Sequence, residues 1–323
     1  MSTDVQPAIL LEGVSKRYRG RGAVLDGLDL VVGPGTVHGL LGPNGAGKTT
    51  TVRILTTLLR FDAGSAWVAG RDVVKDPIGV RARIGVAGQF TTVDELLSGR
   101  ENLELFARLH HLPPKTARLR ATDLLERFDL APAADRPVRG YSGGMRRRLD
   151  LAVSLIRNPQ VLFLDEPTTG LDPRSRLEVW NSVRELASSG TTVLLTTQYL
   201  EEADRLCQRI SMIDHGRVVA EGCSAELKLY VGRTRAEISV PEGRDLLGAA
   251  HRVAMNVGSM PELDADARTL SVAMNGEAQI LEQLAGALRE LGLTTEELAL
   301  RRPDLDDVFL HVTGRTTQGQ RER

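Results

Sequence analysis

The segment from Gly42 to Thr50 carries the residue types that bind phosphate groups. It fits the pattern Gly-x4-Gly-Lys-Ser/Thr, and its members are Gly42, Pro43, Asn44, Gly45, Ala46, Gly47, Lys48, Thr49 and Thr50. An apolar stretch before it predicts a strand, and apolar residues at helical spacing follow it. In this context the glycines let backbone N–H groups curl around phosphate oxygens at the positive end of a helix. Lys48 supplies a charge for the β- and γ-phosphates and Thr49 a hydroxyl ligand for Mg²⁺, so the segment predicts binding of a nucleoside triphosphate.

A pair of acids, Asp165 and Glu166, ends the apolar stretch of residues 161–164. Adjacent residues at the end of a strand point in different directions, so the two carboxylates can take separate roles. We expect Asp165 to hold Mg²⁺ through water and Glu166 to act as general base toward the attacking water. The competing interpretation is an acidic turn after a core strand, and the phosphate-binding segment upstream argues against it.

A second group of small residues precedes a predicted helix at 146–156 and consists of Ser142, Gly143 and Gly144. Such residues expose backbone N–H groups at a helix N-terminus, which makes a second potential phosphate site. One nucleotide does not require two such sites in one chain. A run of arginines follows at the positive end of the same helix, where cations are disfavoured: Arg146, Arg147 and Arg148. We expect at least one of them to meet a carboxylate or phosphate and the other two to form a solvated basic face.

The predicted elements alternate as strand, helix and strand around residues 161–196, which indicates an α/β fold with a parallel sheet and crossover helices. A mostly helical insertion interrupts this sheet. We therefore predict a first domain at 1–228, with a core at 1–89 and 158–228 and a helical subdomain at 90–157. A small C-terminal α/β domain follows at 229–314, with Asp304 as the N-cap of its last helix. Residues 315–323 are expected to form a flexible tail.

The composition excludes several classes of protein. Among 323 residues, 41% are hydrophobic and 26% are charged, which is ordinary for a globular protein, and the formal net charge of −1 supplies no basic field for nucleic acid. The two cysteines, Cys207 and Cys223, are far apart in the chain, which argues against a zinc site or a disulfide framework and fits a reducing compartment. No stretch reaches the about 18 consecutive apolar residues of a membrane span, so we expect any membrane passage to belong to another chain.

The order of the motifs resembles that of the ATP-binding cassette family. After the phosphate segment come Gln89, Ser-Gly-Gly-Met, Leu-Asp-Glu-Pro, Gly-Leu-Asp and the segment that begins at Gln198. The resemblance covers residues 8–222 and implies a P-loop NTPase cassette that uses ATP and Mg²⁺. It also implies that two copies pack head to tail. Each ATP then lies between the phosphate loop of one copy and the signature segment of the other, which is the Ser-Gly-Gly-Met stretch at residues 142–145.

The resemblance assigns roles to particular residues. It implies that Tyr18 stacks on adenine and that Gln89 reaches Mg²⁺ and the attacking water while sensing a transmembrane partner. It also implies that Ser142 and Gly144 contact the γ-phosphate across the dimer and that Asp172 couples the two sites.

Two residues depart from the family pattern. Met145 replaces the usual glutamine of the signature, a mild change if backbone N–H groups do most of the binding. Gln198 replaces the switch histidine that contacts the γ-phosphate. Glutamine donates a neutral hydrogen bond in place of a charged one, so we expect transition-state stabilisation to be weaker by roughly tenfold rather than abolished.

Further motifs narrow the resemblance to the daunorubicin-resistance type of drug-export ATPase subunit. They are Tyr-Ser-Gly-Gly-Met-Arg-Arg-Arg and the segments 196–204 and 305–310. The implied function is ATP-driven export of a hydrophobic drug, antibiotic or lipid-like molecule. The implied partner is a separate transmembrane permease, at the cytoplasmic face of the cell membrane. The alternatives are an importer subunit and a soluble cassette protein that acts on ribosomes or DNA; the neutral charge and single cassette argue against a nucleic-acid partner.

Overall fold

The computed structural model describes residues 6–20, 22–88, 92–231, 234–274, 277–294, 297–301 and 303–314. Contacts divide the chain after Ser224 into two compact units. Gln89 and the predicted flexible tail at 315–323 lie outside the described residues. Within the described part of the chain, no helix combines the length and apolar character needed to cross a bilayer.

The first unit is built on a central, mainly parallel sheet and a separate antiparallel sheet. Its strands are β1 (Ile9–Tyr18), β2 (Gly22–Val32), β3 (Val37–Leu41), β4 (Ala63–Val68), β5 (Arg71–Asp72), β6 (Ile84–Ala87), β7 (Val161–Asp165), β8 (Thr192–Thr197), β9 (Arg209–Asp214) and β10 (Arg217–Gly222). The central sheet has the order β10-β9-β3-β8-β7-β6, and the antiparallel sheet has the order β2-β1-β4-β5. In the central sheet, only the β9–β10 pair among the described strands is antiparallel.

The central strands are buried on both faces, which explains their continuous apolar character. Every residue of β3, β7 and β8 is buried, as parallel strands covered on both sides by other elements require. Leu41 lies opposite Thr197, and Asp165 lies opposite Thr196, so the carboxyl ends of these strands meet at one edge of the sheet. Ligands of open α/β sheets bind outside such an edge. The predicted parallel sheet is confirmed.

The helices of the first unit connect these strands and form the helical insertion. They are α1 (Lys48–Leu55), α2 (Pro77–Arg81), α3 (Gly99–Leu109), α4 (Pro114–Arg127), α5 (Gly143–Ser154), α6 (Pro173–Ser188) and α7 (Leu200–Leu206), and α8 (Ser224–Leu229) follows at the boundary between the units. The insertion runs from α3 to α5 and begins with a capping box, in which Ser98 and Glu101 bond each other's backbone N–H groups.

The C-terminal unit is a sheet covered by helices. Its elements are β11 (Arg235–Ser239), α9 (Leu246–Val257), β12 (Glu262–Asp264), β13 (Thr269–Ala273), α10 (Glu277–Leu291), β14 (Leu298–Arg301) and α11 (Leu305–Thr313). The antiparallel order β12-β13-β11-β14 corresponds to a ferredoxin-like β-α-β-β-α-β arrangement. Asp304 caps α11 and forms a capping box with Asp307, which confirms the predicted N-cap. The sequence did not predict β12, because its residues are all exposed and show no apolar alternation.

Candidate nucleotide-binding and catalytic site

The phosphate-binding segment leaves the central sheet at the end of β3 and enters α1. The N–H of Gly42 donates to the carbonyl of Thr197 at 3.3 Å, which ties the start of the segment to β8. Gly47 is the N-cap of α1 and has a φ of 111°. A Cβ atom on Gly47 would lie 2.6 Å from Leu25 Cδ2, and one on Gly42 would lie 2.2 Å from the Ile213 carbonyl oxygen. These glycines are therefore required by packing as well as by backbone conformation.

The ammonium group of Lys48 lies inside this segment, close to the predicted catalytic acid. Its Nζ donates to the carbonyls of Gly42 at 2.7 Å and Pro43 at 3.1 Å. Nζ also lies 3.4 Å from Glu166 Oε1, and the two side chains are only 4% and 10% exposed. Burial lowers the pKa of Lys48, and the Glu166 carboxylate acts in the opposite direction. A buried cation is thus held where the phosphates of a nucleotide would need it.

The two acids at the end of β7, Asp165 as its last residue and Glu166 directly after it, have different partners. Asp165 Oδ1 accepts hydrogen bonds from Thr196 Oγ1 at 2.5 Å and from Thr49 Oγ1 at 3.3 Å. Glu166 has a φ of 50°, an uncommon conformation for a residue with a side chain, and its N–H donates to the Thr196 carbonyl at 3.1 Å. This left-handed turn directs the Glu166 carboxylate to Lys48 while Asp165 remains beside Thr49. Strained backbone of this kind concentrates at functional sites.

The residues around Thr49 fit a magnesium ion. Thr49 contributes a hydroxyl and Asp165 a carboxylate, and Mg²⁺ prefers such hard oxygen ligands. The two oxygens lie 3.3 Å apart, so both groups could belong to one ion site. Gln89, the remaining predicted ligand, lies outside the described residues.

A cavity of about 800 Å³ opens over the phosphate-binding segment. Its walls include Tyr18, Asn44, Lys48 and Glu166, together with the basic side chains Arg19, Arg53 and His215. Tyr18 is half-buried at the end of β1, and the ammonium group of Lys16 lies 5.9 Å from the centre of its ring. Sequence reasoning missed the three basic residues, since each is a single residue in an unremarkable context and only folding brings them together.

Gln198 directly follows β8 and is half-buried. Because β8 lies between β3 and β7, Gln198 emerges at the same sheet edge as Gly42 and Glu166. Gln198 does not itself line the cavity that contains Lys48 and Glu166, so its contact to the γ-phosphate stays a prediction.

The signature segment lies at the start of α5 and packs against the start of α6. Ser142 is the N-cap of α5, and its Oγ accepts from the N–H of Met145 at 3.2 Å. A Cβ on Gly144 would lie 2.5 Å from Ser175 Oγ on α6. Asp172 caps α6, and its carboxylate accepts from the Ser175 N–H at 3.0 Å and the Ser175 hydroxyl at 2.7 Å. The backbone hydrogen bond from Ser175 lowers the pKa of Asp172.

The structure does not bring the signature segment to the cavity of its own chain. Ser142, Gly143 and Gly144 are all described, and none of them lines the cavity that contains Lys48 and Glu166. Ser142 and Gly143 are instead exposed at the start of α5. Two groups of phosphate-binding type thus occupy separate surfaces of one chain.

Comparison with known proteins identifies the family. A family model described as ABC transporter matches residues 25–169. The chain is 59% identical to the daunorubicin resistance ATP-binding protein DrrA3 of Streptomyces coeruleorubidus, over 95% of this chain and 96% of that protein. It is 41% identical to the Nod factor export ATP-binding protein I of Ralstonia nicotianae, over 96% of this chain and 94% of that protein.

The chain belongs to the ABC transporter family. A solved dimeric ATP-binding cassette in a post-hydrolysis state, with ADP and phosphate bound, resembles it with a TM-score of 0.60 and 25% identity, over 67% of this chain and 98% of that one. The chain is therefore a nucleotide-binding subunit that hydrolyses ATP.

The arginines of this ABC subunit are paired more completely than the sequence predicted. Arg146 Nη1 lies 3.0 Å from Glu95 Oε1, Arg147 Nη1 lies 3.2 Å from Asp150 Oδ2, and Arg148 Nη2 lies 3.4 Å from Glu178 Oε2. The expectation that two of them form a solvated basic face is wrong, because Glu95 in the insertion, Asp150 on α5 itself and Glu178 on α6 each pair with one arginine. Of the three, Arg146 is the most exposed.

A buried carboxylate, Glu202, is a further feature that sequence reasoning missed. Its Oε1 accepts from Thr168 Oγ1 at 2.8 Å and from Trp180 Nε1 at 3.0 Å. It therefore joins three elements of the ABC cassette: α7 after Gln198, the turn after Glu166, and α6 after Asp172. In the sequence, Glu202 is one of two adjacent acids on a short helix, and nothing there distinguishes the buried acid from its exposed neighbour.

Proposed function

We propose that this ABC subunit couples ATP hydrolysis to the export of a hydrophobic drug, antibiotic or lipid-like molecule. ATP hydrolysis is supported by four side chains that meet at one edge of the sheet: Lys48, Thr49, Asp165 and Glu166. The direction of transport and the class of substrate are supported by the high identity to a daunorubicin resistance protein and by the export function in the name of the Nod factor relative.

In the proposed mechanism, backbone N–H groups of the segment from Gly42 to Thr50 hold the phosphates and Lys48 neutralises them. Tyr18 stacks on the adenine ring. Thr49 and Asp165 would hold Mg²⁺, which supplies positive charge to the phosphate oxygens.

Glu166 would accept a proton from the attacking water, and Gln198 would donate a hydrogen bond to the γ-phosphate. The short distance between Glu166 and Lys48 supports this assignment, because the γ-phosphate would lie beside the same ammonium group. The carboxylate would then be close to a water in line with the γ-phosphate.

We infer that two copies pair head to tail around ATP. Ser142, Gly143 and Gly144 of one copy would contact the γ-phosphate held by the other, and Asp172 would couple the two sites. The separation of these residues from the cavity of their own chain supports this arrangement, as does the similarity to a dimeric cassette. The membrane passage would be formed by a separate permease, which would hold the subunit at the cytoplasmic face of the membrane.

The export function can be tested with daunorubicin as the probe. Cells would express the chain together with a membrane protein encoded beside its gene, and intracellular daunorubicin would be measured by fluorescence. The matched control is Glu166→Gln in the same cells. We expect lower accumulation with the wild-type pair than with the control. Equal accumulation would contradict drug export, and higher accumulation would favour the importer alternative.

A further inference from the structure

Arg147 binds three groups that come from different parts of the ABC cassette. Its Nε donates to the carbonyl of Pro167 at 2.7 Å, and its Nη1 donates to the carbonyl of Gly88 at 2.6 Å. Nη1 also lies 3.2 Å from Asp150 Oδ2, one turn further along α5. The side chains of Arg147 and Asp150 are only 7% and 1% exposed. This is a buried and specifically oriented guanidinium group rather than a surface charge.

Asp150, which pairs with Arg147, also binds Thr92, a few residues after Gly88 in the chain. Its Oδ1 accepts from the N–H of Thr92 at 3.0 Å and from Thr92 Oγ1 at 2.7 Å. Gly88 and Thr92 flank residues 89–91. The helix that begins with the signature segment therefore holds the chain on both sides of Gln89 with one arginine and one aspartate.

The contact with Pro167 connects Arg147 to the predicted general base. It is buried and directly follows Glu166, whose unusual backbone conformation directs its carboxylate to Lys48. A hydrogen bond from a buried, charged donor to the Pro167 carbonyl restrains the turn that carries this conformation. Arg147 thus links α5 to the backbone of the predicted general base.

We propose that Arg147, supported by Asp150, is a positioning residue that sets Glu166 according to the position of the signature helix. This rests on the proposed function, in which Ser142 and Gly144 bind the ATP held by the other copy. When Ser142 and Gly144 bind the ATP of the other copy, the start of α5 is fixed. Arg147 lies on the next turn of α5 and transmits the position of this helix to Pro167 and Gly88. Each copy would then hydrolyse its own ATP efficiently only when it also holds that of its partner.

The neighbouring arginines do not offer the same connection. Arg146 pairs with Glu95 at the surface, where its side chain is 36% exposed. Arg148 donates to the Phe128 carbonyl and pairs with Glu178. A lysine at position 147 would present one ammonium group in place of a planar fork and could not reproduce the separate Nε and Nη1 bonds. The proposed role depends on the guanidinium geometry of this one residue.

The test compares variants of the full chain by steady-state ATP hydrolysis, by equilibrium ATP binding and by thermal unfolding. Arg147→Gln removes the fork, and Arg146→Gln is the matched control on the same helix. Because Arg147→Gln leaves Asp150 buried without its cation, a neutral pair variant, Arg147→Gln with Asp150→Asn, is measured beside it. We expect kcat to fall at least about tenfold in both Arg147 variants, because misplacement of a reacting group is costly. ATP affinity and the KM should stay within about twofold, since the cavity is unchanged.

A double-mutant cycle with Glu166→Gln separates positioning from a general structural role. If Arg147 acts through the Glu166 carboxylate, adding Arg147→Gln to Glu166→Gln should slow single-turnover hydrolysis of radiolabelled ATP by less than about twofold. The proposal is overturned if the Arg147 variants hydrolyse ATP like the Arg146 control, or if Arg147→Gln slows the Glu166→Gln enzyme as much as the wild type. It is also overturned if both Arg147 variants fail to fold. Failure of the proposed function would look different, because Glu166→Gln itself would then hydrolyse ATP at nearly the wild-type rate.

Discussion

Replacing Glu166 with glutamine separates ATP binding from ATP hydrolysis in this ABC subunit. The substitution keeps the size of the side chain and removes the carboxylate that lies 3.4 Å from Lys48 Nζ. At that distance an ion pair is worth about 5 kcal/mol at an effective dielectric constant of about 20, before desolvation is subtracted. That attraction competes with the phosphates for the ammonium group. We therefore expect Glu166→Gln to bind ATP at least as tightly as the wild type.

Hydrolysis by Glu166→Gln should fall by about 10²–10⁴, because a general base contributes this much. The corresponding rise in the activation free energy is about 2.7–5.5 kcal/mol. The assay is release of radiolabelled phosphate at saturating ATP, combined with equilibrium binding of ATP and with light scattering to follow the ATP-bound dimer. Phosphate release within about threefold of wild type would remove Glu166 from the role of base. Weaker ATP binding would contradict the proposed competition for Lys48.

Four other substitutions, at three positions, test the remaining parts of the site. Lys48→Ala should weaken ATP binding or hydrolysis by about tenfold or more, which is the value of a charge-assisted hydrogen bond. Wild-type ATP affinity in a binding titration together with wild-type turnover would contradict the role of Lys48. Ser142→Arg, placed in the Glu166→Gln background, should prevent the ATP-dependent dimer in light scattering, whereas equal dimer populations with and without the change would refute the head-to-tail arrangement. Gln198→Ala should lower hydrolysis by about fivefold to tenfold, the loss of one neutral hydrogen bond. Gln198→His should be tolerated, and its rate of ATP hydrolysis should depend on pH between about 6 and 7, because imidazole changes charge there. If Gln198→Ala hydrolyses ATP at the wild-type rate across this pH range, Gln198 is dispensable.

The sequence alone determined the parts of this protein that depend on short segments. A phosphate-binding turn is made by consecutive backbone N–H groups, so the pattern from Gly42 to Thr50 contains most of the chemistry it needs. The buried parallel strands and crossover helices were likewise predictable, because their apolar periodicity is a local property. The N-cap at Asp304 was correct for the same reason.

Tertiary structure decided which side chains meet across long separations in the chain. The sequence predicted a partner for at least one of three adjacent arginines, but their identical residue type cannot reveal that the middle one is buried. Arg147 is assigned to Gly88 and Pro167 because α5 packs where these two carbonyls need donors, 59 and 20 residues away. The pairing of Glu202 with Trp180 and Thr168 arises in the same way. A buried polar group takes its hydrogen-bond partners from whatever the fold places beside it, so these partners are a property of the packed chain and not of any one segment.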